Sequence, residues 1–303
     1  MSLDPQVAAL LEVRAALPAI DLETITPAAL RVASNFAMPV ADLPQMSVED
    51  RLVPIDDVVI PVRLYRPNGA VRPPVCLFFH GGGWMVGDLD SHDSLCRLLA
   101  ARSGCAILSV GYRLAPEHPF PAGLEDCYAI TRWLHRQGVS LGLDTAKMAV
   151  AGDSAGGNLA AAVAIMARDR GGPPLRRQLL LYPNTDRDQD TASWRDLGEG
   201  YLLTRKRMDF YWRNYLGGRP DTPSLAAVRR TADLRGLPPA VVIVAEYDPL
   251  RDEGADYARA LAAAGGKVVL HTAPGMIHGF LTMTGAIDAA MAWVDRVAAA
   301  MRP

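Results

Sequence analysis

The chain has 303 residues, 31 Lys plus Arg against 33 Asp plus Glu, a formal net charge of -2, and half of its residues are apolar. Those numbers exclude collagen, intrinsic disorder and coiled coil. The near-zero charge balance, with no extended basic stretch, gives no electrostatic footing for nucleic acid or an anionic membrane surface. The expected partner is a small molecule. Length alone allows two domains, but α/β folds often exceed ~200 residues as one.

The start of the chain places Asp4, Glu12 and Arg14 where a signal sequence would need an uncharged core, so a cytoplasmic location is expected. The longest apolar run, Leu159 to Ala167, falls well short of the ~20 residues that span a bilayer, and no membrane insertion is expected. Cysteines 76, 96, 105 and 127 lack CxxC or Cys/His ligand spacing, so they read as buried thiols; neither metal nor cofactor is expected.

In chain order, residues 1–45 read as a helical segment preceding the first strand. Strands are then expected at 47–55, 58–65, 75–79, 106–111, 148–151, 178–182, 241–245 and 268–272. Residues 58–65 alternate with charge and contain Pro61, as an edge strand does, whereas VCLFF, AILSV, LLL and VVIVA are continuous apolar runs of strands covered on both faces. Helical patterns lie between them near 90–103, 122–137, 155–170, 251–264 and 286–301. This alternation implies a mostly parallel eight-stranded α/β sheet flanked by helices, with an antiparallel edge. Residues 46–303 would form this domain. Its stretch 184–225 is too long for one crossover and reads, with residues 1–45, as a helical cap over the carboxyl ends of the strands.

Gly152-Asp-Ser-Ala-Gly156 follows the strand run KMAVA and leads into a helical pattern. A serine at such a strand–turn–helix corner is strained, and the residues two before and two after must be glycine to avoid each other. Upstream, VCLFF ends in His80-Gly-Gly-Gly-Trp84. Three glycines let backbone amides converge, and the N–H groups of Gly82, Gly83 and Ala155 would form an oxyanion hole. The loop lacks the lysine and the spacing of phosphate-binding loops.

A serine hydroxyl needs a base, and the base needs an acid. His278 lies in the loop after the last expected strand and is taken as the base; His271 lies within that strand and reads as packed or solvent-facing. Asp248 stands just past VVIVA and is the favoured acid, with Glu246 as the alternative; Asp252 reads as a helix N-cap.

His80-Gly-Gly-Gly-Trp84, Tyr112-Arg-Leu-Ala-Pro-Glu117, Gly152-Asp-Ser-Ala-Gly-Gly157, Asp248-Pro-Leu-Arg-Asp252 and His278-Gly-Phe280 together resemble the hormone-sensitive-lipase-like family of α/β-hydrolase carboxylesterases. The resemblance covers roughly residues 50–300. It implies the α/β-hydrolase fold and a metal-free serine carboxylesterase acting on small-molecule esters with short to medium acyl chains, with a homodimer possible. In the family pattern His80 supports the glycine loop. One departure is Thr222-Pro-Ser-Leu-Ala-Ala-Val, where the family usually has a Ser-Pro pair. A ligand-binding receptor on the same scaffold, or an amidase or peptidase using the same groups, is the alternative; receptors of this kind have usually lost a catalytic residue.

Six of the twenty aromatic residues, Trp194, Tyr201, Phe210, Tyr211, Trp212 and Tyr215, fall within 22 positions. They either cement a cap helix to the core or wall a pocket above Ser154. The substrate-binding residues expected on the second reading are Tyr211 and Trp212, with Trp84, Phe36 and Met38.

Overall fold

A computed structural model describes residues 2–34, 40 and 42–302. Phe36 and Met38 therefore lie outside the described residues. The fold is built on strands β1 (Ser47–Ile55), β2 (Val58–Arg66), β3 (Pro74–Phe79), β4 (Ala106–Val110), β5 (Asp144–Asp153), β6 (Arg177–Leu181), β7 (Ala240–Tyr247) and β8 (Val268–Ile277). They form one sheet in the order β1-β2-β4-β3-β5-β6-β7-β8. The β1/β2 and β2/β4 pairs are antiparallel and the rest parallel. The continuous apolar runs occupy β3, β4, β6 and β7, in the interior of the sheet, where helices cover both faces.

The helices are α1 (Pro5–Ala15), α2 (Pro27–Ser34), α3 (Asp93–Ser103), α4 (Ala122–Gln137), α5 (Ala155–Asp169), α6 (Ala192–Leu197), α7 (Arg205–Tyr215), α8 (Arg251–Ala263) and α9 (Asp288–Met301). One core cluster joins Leu77, Phe79, Val150, Leu180 and Val242 to α4, α5 and α8; the other joins Phe78, Ile107, Leu179 and Ile243 to α3 and α9. These sets alternate along each strand, as side chains on opposite faces must. Helix α5 is buried from Ala155 to Ala167, which explains its run of small residues.

The last strand outruns its expected end at Thr272 by five residues. Pro274 and Gly275 read as a turn, but β8 is the edge strand, where a missing N–H donor is tolerated, and the register with β7 shifts between Ala245 and Tyr247 to absorb the irregularity. Strand β5 likewise begins at Asp144, earlier than expected.

Both regions expected to cap the sheet contain helices: α1 and α2 in the first, α6 and α7 in the second. The second is anchored through buried Glu253 of α8, which accepts the N–H groups of Thr185 and Asp186 at Oε1 and the Trp194 indole N–H at Oε2. Asp252 is not the N-cap; that position is Leu250, which caps with its backbone only. The Asp252 carboxylate instead accepts the Ser193 N–H at 2.7 Å, a second tie between α6 and α8.

Candidate active site

Ser154 sits at the end of β5 and the start of α5 with φ +55° and ψ -121°, a backbone that side chains rarely adopt. The turn is too tight for neighbouring side chains. A Cβ on Gly152 would lie 2.2 Å from the Gly156 carbonyl oxygen, and one on Gly156 would lie 1.9 Å from that of Phe79. The corner thus needs both glycines and presents the Ser154 hydroxyl beyond the strand end.

The three chain-distant groups expected to meet are together. His278, immediately after β8, places Nε2 2.8 Å from Ser154 Oγ and Nδ1 2.7 Å from Asp248 Oδ2. Asp248 follows β7, is fully buried, and accepts the Leu250 N–H at its other oxygen. Tyr182 meets the His278 ring edge-on with centroids 5.1 Å apart. Glu246 is turned away; its carboxylate accepts the Gly275 N–H at 2.7 Å, and that bond first of all holds it below its ordinary range. His271, on the edge strand β8, packs edge-on against Trp293 of α9.

Beside Ser154, the glycine loop has φ +118° at Gly82, +58° at Gly83 and +60° at Trp84. It folds back so that the Gly82 carbonyl accepts from Met85 and Val86. Among the described residues, no turn or loop carbonyl accepts from the N–H of Gly82, Gly83 or Ala155.

Behind the loop is a buried polar cluster that local sequence patterns do not announce. Asp153 Oδ1 accepts the Gly81 N–H at 2.8 Å and lies 3.1 Å from His92 Nε2, while His92 Nδ1 is 2.9 Å from Ser91 Oγ. Burial alone would push the Asp153 carboxyl up, but His92, the Gly81 N–H and His80 outweigh it and hold the group below its ordinary value. His80 stacks on Tyr112 at 4.3 Å and contacts the Gly81 carbonyl at 2.8 Å through Nδ1; burial, and then His92, push its pKa down to about 4. Tyr112 donates to the His80 carbonyl, which places this part of the Tyr112–Glu117 motif in the scaffold. Glu117 receives a bidentate contact from Arg31 of α2, whose Nε donates to the Met85 carbonyl.

A cavity of about 440 Å³ opens over Ser154 and His278. Its wall includes Tyr211, Met208 and Leu203 from the cap insertion and Leu10, Val13 and Leu17 from the amino-terminal segment. Tyr211 covers the glycine loop so closely that a Cβ on Gly83 would lie 2.3 Å from its ring. Trp84 and Trp212, expected on the pocket wall, are not among its lining residues. Both are buried: Trp84 stacks on Tyr215 at 4.1 Å and 3° and meets Trp212 at 4.7 Å. Large apolar rings gain most by leaving water entirely, and these fasten α7 to the glycine loop. Where the family has its Ser-Pro pair, Thr222 receives only a long contact from Arg187, and the following turn is held by Asn158 of α5 donating to the Ala226 carbonyl.

A strand–turn–helix serine, a histidine after the last strand and an acid after the strand before it define an α/β hydrolase. The chain belongs to that family: the family model for the alpha/beta hydrolase fold matches residues 76–282. The five motifs noted above assign it to the hormone-sensitive-lipase-like carboxylesterases within the fold. It is 44% identical over 268 residues to the carboxylesterase NlhH of Mycobacterium tuberculosis, covering 86% of this chain and 83% of that protein. With the ethyl acetate hydrolase of Pseudomonas putida it shares 38% over 260 residues, 82% of this chain and 80% of that one. Among solved structures, a hyperthermophilic esterase from Pyrobaculum calidifontis superposes with a TM-score of 0.94 at 39% identity, over 100% of this chain and 98% of the other. Among the described residues, no helix is long and apolar enough to cross a membrane.

Proposed function

We propose that the protein hydrolyses carboxylic esters through an acyl-enzyme on Ser154. The observation that carries this reading is the unbroken chain from Asp248 to His278 to Ser154, with separations of 2.7 and 2.8 Å. As Ser154 Oγ attacks the ester carbonyl, His278 Nε2 takes its proton. Asp248 accepts from Nδ1, which fixes the ring orientation and stabilises the imidazolium that forms. The tetrahedral oxyanion is received by the N–H groups of Gly82, Gly83 and Ala155, a reading supported by the fact that, among the described residues, no turn or loop carbonyl accepts from them. His278 then returns the proton to the departing alcohol. In the second half it activates water, which releases the acid and restores Ser154.

The mainly apolar wall supports esters with short to medium acyl chains, as does the similarity to an ethyl acetate hydrolase. A ligand-binding protein would have no need of all three groups in hydrogen-bond register. Steady-state assays on p-nitrophenyl esters from acetate to palmitate test the reading. Ser154→Ala should lower kcat by roughly 10⁶ while the protein stays folded, and His278→Ala should fail where His271→Ala remains active. Activity above ~1% of the parent in Ser154→Ala overturns the assignment.

A further inference from the structure

Strand β6 ends at Leu181, and the next residue, Tyr182, has φ +36°. Bulky side chains are rarely found in that backbone region, and such strain persists only where the surroundings over-determine it, most often at functional sites. The surroundings here include Ser154 itself. The Leu181 carbonyl accepts the Ser154 N–H at 2.8 Å, and the Asn184 N–H donates to the Ser154 carbonyl at 3.2 Å. Tyr182 stands between these two bonds, at the apex of a clamp on the peptide groups of the serine. Its own N–H donates to the Ile243 carbonyl of β7 at 2.6 Å, and Pro183 beside it packs so closely on α5 that a Cβ on Gly157 would lie 3.0 Å from its ring. Beyond Asn184, Glu253 accepts the Thr185 N–H at 2.7 Å. The turn is pinned on every side and delivers the Tyr182 ring to one place.

That place is His278. The two ring centroids lie 5.1 Å apart at 66°, and Phe280 meets the other side of the tyrosine at 5.6 Å. Tyr182 and Phe280 are both buried, and Phe280 rests in turn on Trp293 of α9 at 6.2 Å. The imidazole is thus supported by a row of rings that ends on a helix. Hydrogen bonds alone would hold it less evenly through a turnover. Nδ1 is tied to Asp248 and Nε2 to Ser154, but Ser154 Oγ has no proton to offer once it carries an acyl group. The ring then keeps only the Asp248 bond, at the stage where Nε2 must take a proton from water. Packing against an aromatic ring does not depend on the state of the serine.

We propose that Tyr182 is a positioning residue for His278 that acts chiefly in deacylation, where its ring keeps Nε2 aimed at the incoming water after the serine contact is lost. This rests on the acyl-enzyme reading and adds a residue to the second half of that cycle.

The test separates the two half-reactions. Enzyme in excess over p-nitrophenyl butyrate releases p-nitrophenol at the acylation rate, and intact-mass spectra of acid-quenched samples follow the rise and decay of the acyl-enzyme. In Tyr182→Leu, which keeps an apolar side chain in the buried position, deacylation should slow about tenfold, the scale of one aromatic pair, while acylation changes by less than about threefold. The peak fraction of acyl-enzyme should rise accordingly. Tyr182→Phe keeps the ring and should bring both rates back to within about twofold of the wild type. Only protein that can be acylated enters the fit, so an unfolded fraction does not mimic the effect. Should Tyr182→Leu yield no folded enzyme, Phe280→Leu takes its place: it removes the backing of the tyrosine and should slow deacylation selectively, by a smaller factor. Equal losses in the two half-reactions, or a peak acyl fraction that stays at the wild-type level, overturn the role of Tyr182 while leaving ester hydrolysis standing. If the wild type cleaves no ester at all, the hydrolase reading falls and the positioning role with it.

Discussion

Removing the Asp153 side chain should impair catalysis without touching Ser154, His278 or Asp248. Its Oδ1 is the acceptor for the Gly81 N–H, and Gly81 leads directly into Gly82 and Gly83, whose amides are proposed to receive the oxyanion. In Asp153→Ala the buried Gly81 N–H is left without its acceptor, which costs about 1–3 kcal/mol and lowers Tm by a few degrees. Deleting an oxyanion donor outright costs about 10²–10³ in kcat, so loosening the loop that carries two of them should cost roughly 10–100-fold, with KM little changed. Asp153→Asn keeps an acceptor oxygen of the same reach and should retain activity within about fivefold. The carboxyl of Asp153 is held below its ordinary value in the folded protein, so the stability it supplies is full above about pH 4 and is lost as pH falls through the lower folded-state value. The difference in unfolding free energy between wild type and Asp153→Asn should therefore shrink below that pH. Kinetics on p-nitrophenyl butyrate, together with the affinity of an alkylphosphonate that mimics the tetrahedral state, provide the readouts. A folded Asp153→Ala with wild-type kcat and undiminished phosphonate affinity would refute the reasoning.

Two further predictions concern the same loop. His80 is held neutral down to about pH 4 by burial, so between there and its free value near 6.5 the unfolded chain binds more protons and stability rises with pH; urea unfolding at intervals across that window should show a slope that His80→Gln flattens, and parallel profiles would count against it. Gly83→Ala would force a Cβ to within 2.3 Å of the Tyr211 ring at a φ of +58°, so kcat should drop at least about tenfold. Truncating the ring in a Gly83→Ala/Tyr211→Ala double variant should recover part of that loss relative to Tyr211→Ala, and a strictly additive cycle would mean that the ring does not press on the loop.

The groups that were legible in the sequence share one property: each sits at a strand end, where local turn chemistry and a continuous apolar run coincide. Gly152 and Gly156 flank Ser154 because the backbone there admits no Cβ, and that requirement is written in five consecutive residues. His278 could be chosen over His271 because it falls beyond its expected strand while His271 falls within it; Glu246 stayed open as the acid until β7 proved to run through Tyr247 and to leave only Asp248 beyond its end. What stayed hidden depends on pairs far apart in sequence. Nothing in the neighbourhood of Ser91 and His92 indicates that they meet Asp153, and nothing around Glu117 indicates Arg31. Asp252 has the residue type and position of an N-cap, yet its carboxylate is claimed by Ser193, a contact that exists only once the cap insertion has folded back onto α8. Trp84 and Trp212 were misplaced for the same reason: clustering reveals that rings are buried together but not which side of them faces the cavity.

Those long-range contacts also tie helices α2 and α7 to the glycine loop. Trp84, the residue that closes the glycine loop, is stacked on Tyr215 at the end of α7, and Tyr211 one turn earlier covers Gly83. From the other side, Arg31 of α2 holds the Met85 carbonyl on that loop and Glu117 on the neighbouring motif. Helices α2 and α7 are therefore packed directly on the glycine loop, whose amides are proposed to receive the oxyanion. An exposed ion pair such as Arg31–Glu117 adds little to global stability, about 0–1 kcal/mol. Its geometry matters more than its energy, because Arg31 also donates to the Met85 and Ala115 carbonyls, and a shift of either would move the loop beside Ser154. A change in the cap that reshapes the pocket is thus coupled through these contacts to the position of Gly82 and Gly83, so chain-length preference and kcat should vary together among cap variants.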